Sequence, residues 1–265
     1  ISSTNSISVS GGLEKAQTFL SYTKKDVQGI IPSNNLTSHN FNFRISNKIG
    51  NKITLDSKVS YLTQIIDNKT RAGEANNTPV MNIYQIPRNV SDADARNYQA
   101  LDNVGVYMPT PWPSTLASNY QNPYWIVNRD ILEGKKDQLS GFISAKLDVT
   151  DWLSVTGRAN LAKSFEEEKQ MTNVGTVLFA RNKGGYYRES GISGIQKWFD
   201  LILQGNNKLS KNFSVDYSVG AIYQDRQFGV KNDIADGLNV ANKFSLNFAT
   251  NPQFNSTLTQ IQTQS

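Results

Sequence analysis

Apolar and polar residues alternate one for one along unusually long segments of this chain. Leu139, Gly141, Ile143, Ala145 and Leu147 fall on one face; Gln138, Ser140, Ser144, Lys146 and Asp148 fall on the other, with Phe142 the exception. The following segment sets Leu153, Val155, Gly157, Ala159 and Leu161 against Ser154, Thr156, Arg158 and Asn160. Phe213, Val215, Tyr217, Val219, Ala221 and Tyr223 oppose Asn212, Ser214, Asp216 and Ser218, and Ile53, Leu55, Val59 and Tyr61 oppose Thr54, Asp56, Lys58 and Ser60. A period of two is that of a strand with unlike faces, and helical spacing does not produce it. The pattern predicts an all-β chain, with strands near 4–10, 15–24, 36–47, 52–64, 137–148, 152–163, 195–206 and 212–224.

Three connections look like copies of one element. Ile49 to Asp56, Val149 to Thr156 and Leu209 to Asp216 each read apolar, turn-forming, polar, then an alternating strand, which is the chemistry of a tight hairpin. Gly11-Gly12 is expected to be a fourth short reversal. Between these lie long connections, expected over 66–136, 165–194 and 225–265. Short turns on one side and long loops on the other is the asymmetry of a transmembrane barrel. The segments run to about 10–14 residues, where soluble strands average five or six and a tilted membrane strand needs about 9–11. Tyr22, Tyr61, Trp152, Phe213 and Tyr223, near strand ends, are placed for interfacial girdles. The expected fold is an antiparallel transmembrane β-barrel with long extracellular loops, all of 1–265 belonging to one barrel domain. About eight strands are readable, and 257–265, rich in Gln, Thr and Ser, shows no closing aromatic strand; the expectation is a section of a larger barrel. A soluble or surface-exposed β-sandwich that binds glycans would also alternate and stands as the alternative.

Composition permits this picture. The hydrophobic share is 38% and the mean hydropathy −0.47, low for a thick soluble core but compatible with a wall whose alternate residues face a polar lumen. No apolar run reaches the roughly 18 residues of a membrane helix. Cysteine is absent, which excludes disulfides, thiolate nucleophiles and Cys-ligated metals. The net charge of +5 is dispersed; Lys24-Lys25 and Lys135-Lys136 are its densest points, and no nucleic-acid partner is expected.

Several motifs, in order along the chain, resemble one family. Ile7-Ser8-Val9-Ser10-Gly11-Gly12 followed by Lys15 and Phe19–Tyr22, Gln28-Gly29-Ile30-Ile31-Pro32, Asn42-Phe43-Arg44-Ile45-Ser46, Asn122-Pro123-Tyr124-Trp125 and Thr150-Asp151-Trp152-Leu153-Ser154 are similar to barrel elements of the SusC/RagA-type TonB-linked outer-membrane transporters of Bacteroidetes. Gln28 and Ser46 depart from the family pattern, and Asp236-Gly237-Leu238 with Lys243-Phe244-Ser245-Leu246 match a later loop faintly. The resemblance covers barrel only; the family's plug domain and TonB box have no counterpart here. It implies a cell outer-membrane importer of oligosaccharides or peptides, embedded in outer-membrane lipid, coupled to TonB through the plug region. A SusD-like lipoprotein would cover its outer loops. Such a protein is not an enzyme and needs no cofactor.

The best binding candidates are the loop aromatics Tyr107, Trp112, Tyr120, Tyr124 and Trp125, whose rings suit sugar faces or peptide side chains and equally suit a loop core or a lid-protein interface. Pro109, Pro111 and Pro113 stiffen that stretch. His39, the single histidine, would serve a barrel hydrolase only with a serine beside it on its face, and its neighbours there are Thr37 and Phe41. Ser21-Tyr22-Thr23-Lys24 matches S-x-x-K, but a strand sends Ser and Lys to opposite faces. Glu166-Glu167-Glu168 with Asp225 or Asp233 could hold Ca²⁺ in loops, and reads more simply as a solvated charge run. No catalytic, cofactor or metal motif is expected.

Overall fold

The computed structural model describes residues 1–71, 78–113, 120–177, 180 and 183–264. Four strands come first: β1 (Ser2–Leu13), β2 (Ala16–Gln28), β3 (Asn35–Ile49) and β4 (Ile53–Asp67). Then follow α1 (Pro79–Tyr84), α2 (Asp92–Arg96), the small hairpin β5 (Gln99–Leu101) and β6 (Tyr107–Pro109), and α3 (Pro123–Arg129). The long strands resume with β7 (Asp130–Asp148), β8 (Leu153–Thr172), β9 (Tyr186–Ser210), β10 (Phe213–Asp236) and β11 (Pro252–Gln264). All but the small hairpin form one antiparallel sheet in the order β1-β2-β3-β4-β7-β8-β9-β10-β11. Among the described residues β1 and β11 are its edges, each paired on one side.

The tight turns β1–β2, β3–β4, β7–β8 and β9–β10 all lie at one end. The repeated turn element is there as expected, at Ile49 to Ile53, Val149 to Leu153 and Ser210 to Phe213. One expectation shifts by a few residues. Gly11 and Gly12 belong to β1, and the reversal falls at Glu14-Lys15, where Leu13 pairs Ala16. Gly12 is needed for approach instead: at φ 152 a Cβ there would run into the Ala16 carbonyl oxygen.

The strands extend well past the expected limits at the long-loop end. β7 begins at Asp130 instead of 137, β8 runs to Thr172 instead of 163, β9 starts at Tyr186 instead of 195 and β10 reaches Asp236 instead of 224. In these extensions charged residues such as Lys135, Lys136, Glu166 and Glu167 stand on both faces, so alternation loses its contrast while the backbone ladder continues. The Glu166–Glu168 run is therefore strand. Glu166 pairs with Lys136 (2.5 Å), Glu168 with Lys69 and Glu167 with Lys169 (3.3 Å). The ninth strand, β11, falls in the stretch expected as loop; its Thr257, Thr259, Ile261 and Thr263 are β-branched, the signal that its Gln and Ser content obscured.

Register turns the sequence alternation into a surface. Directly paired residues share a face, so Val9, Leu20, Phe43 and Val59 form one cross-strand row, and Ile53, Leu147, Val155, Leu203 and Val219 another. Between these rows lie Leu55, Ile143, Phe199 and Leu201, and the pair Phe41 and Tyr61 stands one step above the first row. Most of these apolar side chains are open to the surroundings. The apolar window drifts along the strands. Its upper limit is Tyr61 opposite Leu139, then Leu161 one pair lower on β8, then Phe199 opposite Tyr223 another pair lower. A level band on tilted strands has to drift in this way. From Leu139 to Leu147 the window matches the roughly 9–11 residues a tilted strand needs to cross hydrocarbon.

The opposite face is polar and internally bonded. Ser60 Oγ donates to Asn42 Oδ1 (2.8 Å), whose amide reaches Ser21 Oγ (3.3 Å). Arg44 grips Asp56 through two bonds (3.0 and 2.7 Å), and Arg158 pairs with the buried Asp200 (3.0 Å). Near the tight turns this face is hollowed by about 920 Å³ between Ser10, Gln17, Phe19, Asn42, Arg44 and Lys58.

Candidate cargo and partner surface

The connection from β4 to β7 carries its own start and stop signals. Thr78 caps α1, its hydroxyl accepting from the Met81 N–H (3.3 Å), with Pro79 in the first turn. Ser91 and Asp94 form a reciprocal capping box on α2, each side chain accepting a backbone N–H at 3.1 Å. Asn122 caps α3, accepting from the Tyr124 N–H (2.9 Å) ahead of Pro123. The Asn122-Pro123-Tyr124-Trp125 motif is thus the first turn of a helix that runs straight into β7.

Buried amides lock these pieces together. Asn82, fully buried, donates to Thr78 O (2.8 Å) and accepts from Gln121 N (2.6 Å). Gln121 in turn donates to Gly175 O and accepts from Val177 N, both at 3.0 Å. Asn122 reaches Ala95 O (2.7 Å), and Trp125 Nε1 donates to Thr176 Oγ1 (2.9 Å). Asp130, at the base of β7, takes Arg71 (2.8 Å) and the Thr172 hydroxyl (2.5 Å). The 173–177 segment also sits tightly on β6, where Gly175 at φ 86 leaves no room for a Cβ beside Pro109. The outer loops therefore form a built platform above the wall.

The five aromatic candidates divide on this platform. Trp125 is wholly buried and Trp112 nearly so, both within the loop core. Tyr120 is half-buried beside Gln121. Tyr107 and Tyr124 keep surface, and each lies under a guanidinium: Arg129 is 4.9 Å from the Tyr107 ring centre and Arg96 is 5.2 Å from that of Tyr124. Tyr98 stacks on Tyr124 with centres 6.5 Å apart. The Tyr124 hydroxyl donates to Asp92 (2.7 Å), and Arg96 pairs with the same carboxylate (2.7 Å). The bond from Tyr124, then that from Arg96, hold the Asp92 carboxyl below the usual carboxylate range, and the same carboxylate raises the Tyr124 phenol. Arg96 and Arg129 escaped the sequence reading because nothing in their spacing sets them beside a ring. Asn82 and Asn122 had a visible signal in the caps they help to build.

The other singled-out residues lie in the wall. His39 stands at the upper edge of the apolar band on the outward face, with its Nδ1 hydrogen-bonded to the Tyr22 hydroxyl (2.8 Å) and its ring stacked on Tyr22. Ser21 faces the polar side, bonded to Asn42, while Lys24 faces outward, paired with Asp26 (3.0 Å). Asp233 pairs with Lys231 (2.8 Å), and Asp225 accepts from Gln260 (3.1 Å), so these carboxylates and the Glu166–Glu168 run are engaged separately.

No protein-family model matches the sequence, and no curated protein matches it. Solved structures do. The chain superposes on the RagAB peptide importer in its "closed-closed" state with a TM-score of 0.70 at 12% identity, over 99% of this chain and 29% of that one. A structure of the RagAB peptide transporter gives 0.71 at 12% identity, over 98% of this chain and 29% of that one. The siderophore receptor PiuA from Acinetobacter baumannii gives 0.55 at 12% identity, over 98% of this chain and 37% of that one. The chain thus spans under two fifths of the length of these proteins, and the likeness shows the fold: a section of an antiparallel transmembrane β-barrel wall with its outer loops.

Proposed function

We propose that this chain is part of a TonB-dependent outer-membrane importer of the SusC/RagA type, forming barrel wall and outer loops. One observation carries the reading: an apolar band, in register over eight strands and about one hydrocarbon thickness tall, backs onto a hydrogen-bonded polar face. A glycan-binding β-sandwich would cover that band with a second sheet, and among the described residues the nine strands form a single layer. The polar face suits the lining of a pathway for hydrated cargo, and the loop platform suits contact with cargo and with a SusD-like lipoprotein lid. Oligosaccharides or peptides are the proposed cargo. Energy would come from TonB through a plug outside this chain, and the protein would perform no covalent chemistry on its load; His39 is spent on Tyr22.

Fractionation of cells producing the full-length protein tests the placement, and uptake of fluorescent oligosaccharides and peptides, with and without an active TonB system, tests the activity. We expect the protein in the outer-membrane fraction and TonB-dependent uptake of one class. Recovery as a monomer in the aqueous fraction without detergent would sink the proposal.

A further inference from the structure

We infer that the outward face of β7, β8 and β9 holds a phosphate-bearing membrane lipid at one defined place, its phosphate between Lys163 and Lys197 and an acyl chain in the hollow below them. This deepens the outer-membrane reading and rests on it. The hollow, about 460 Å³, lies on the apolar face where Gly141 and Ala159 leave a gap between the larger Val59, Leu139, Ile143 and Phe199. Gly141 is forced to be small, since a Cβ there would come within 2.6 Å of the Lys58 carbonyl oxygen. Lys197 lines the upper rim of the hollow.

The charges around the hollow favour an anion. Lys197 lies directly opposite Leu161 and Lys163 directly opposite Ile195, which makes the two lysines diagonal neighbours on adjacent strands, roughly 7–8 Å apart at the backbone. Both are exposed, and among the described residues neither makes an ion pair. Other lysines on this outward face are matched: Lys24 with Asp26 (3.0 Å), Lys135 with Asp137 (3.1 Å), Lys169 with Glu167 (3.3 Å) and Lys231 with Asp233 (2.8 Å). Two carboxylates do approach the pair, and both are occupied. Asp225, opposite Lys197, accepts from Gln260 (3.1 Å). Asp137, diagonal to Lys163, is held by Lys135 and by the Tyr61 hydroxyl (3.0 Å).

Height selects the source of the phosphate. Along their own strands Leu161 and Phe199 come next below Lys163 and Lys197, and Phe165 and Ile195 come next above them on the same face. The two ammonium groups therefore stand in the interfacial zone, where long basic side chains reach the headgroup level. An apolar slot ending in a paired cationic clamp is complementary to one anionic headgroup with its chain, and not to free phosphate in water.

Native mass spectrometry of the full-length protein, released from phosphatidylcholine nanodiscs doped with phosphatidylglycerol, tests this. We expect retained phosphatidylglycerol to fall about tenfold in the double variant Lys163→Gln/Lys197→Gln, as the loss of charge-assisted bonds requires. Retention should be unchanged in Lys24→Gln/Lys231→Gln, which removes matched lysines away from the clamp. Ala159→Leu, which fills the hollow and keeps both lysines, should also lower retention. Equal retention in wild type and the Lys163/Lys197 variant, with the protein embedded in the nanodisc, would overturn the lipid site and leave the barrel reading standing. Displacement by inorganic phosphate, with no effect of Ala159→Leu, would overturn it too. Failure to enter nanodiscs at all would overturn the barrel reading beneath it.

Discussion

The lower wall and the outer platform are held together by opposite means. In the wall, apolar side chains point away from the protein and polar ones bond to each other across strands, so the apolar ones are satisfied by the surroundings. On the platform the largest fully buried side chains, besides Trp125, are amides and hydroxyls: Asn82, Asn122, Thr172 and Thr176. The wall therefore depends on a hydrocarbon environment and tolerates change on its polar face except at buried pairs such as Arg158 with Asp200. The platform depends on individual bonds, each of which leaves a buried partner stranded when broken.

A charge in the middle of the apolar band should break this contrast most severely. Leu201→Arg is expected to cost about 2–4 kcal/mol of folding free energy in bilayers. Ser218→Arg, on the reverse face, should leave it nearly unchanged; heat-modifiable gel mobility and urea titration in vesicles check both. Equal effects would mean that the two faces do not differ as described. Next in size are the anchors of the platform. Asn122→Ala removes a helix cap and strands Ala95 O, for about 1–3 kcal/mol of local stability. Hydrogen exchange should rise across α2 and α3 while the β7–β8 ladder stays protected. Within the polar face, Arg158→Met leaves the buried Asp200 without its cation and should cost about 1–3 kcal/mol. Arg44→Met, at a more exposed pair, should cost less than about 1 kcal/mol.

The smallest expected effect is a pH dependence at the platform surface. Asp92 is held below the ordinary carboxylate value, so its contribution is present in full above about pH 4 and is lost as pH falls through the depressed value. Protease susceptibility of the 92–129 region should rise modestly on acidification. Asp92→Asn should reduce that dependence, leaving the part carried by Asp94, whose bonds with Ser91 likewise hold its carboxyl below the ordinary value.

Much of the wall was legible because each residue there meets one of two unlike media, and a period of two records which. Tyr61, Leu139 and Leu161 mark the band's edge in the sequence itself. Above that edge charged residues stand on both faces, and Glu166–Glu168 looks the same in a strand as in a loop. β11 was hidden for a related reason, its apolar residues Phe254 and Leu258 being too far apart to alternate. The platform was the least readable region. Its helices have caps at Thr78, Ser91 and Asn122 that local chemistry reveals, but bonds such as Trp125 to Thr176 join residues 51 apart and leave no local trace. Of the aromatic candidates, composition could nominate five rings and could not separate the two buried tryptophans from Tyr107 and Tyr124.

The unbroken pairing of β7 with β8, from Asp130–Thr172 down to Asp148–Ser154, has a mechanical meaning. A continuous ladder contains no hinge, so the outer strand ends and the membrane portion tilt as one lever. Movement of the platform relative to the wall has to be absorbed where the ladder ends, in segments such as 68–71 and 237–251. A force applied to the platform would reach the bilayer as leverage on a stiff rod, with little loss along the way.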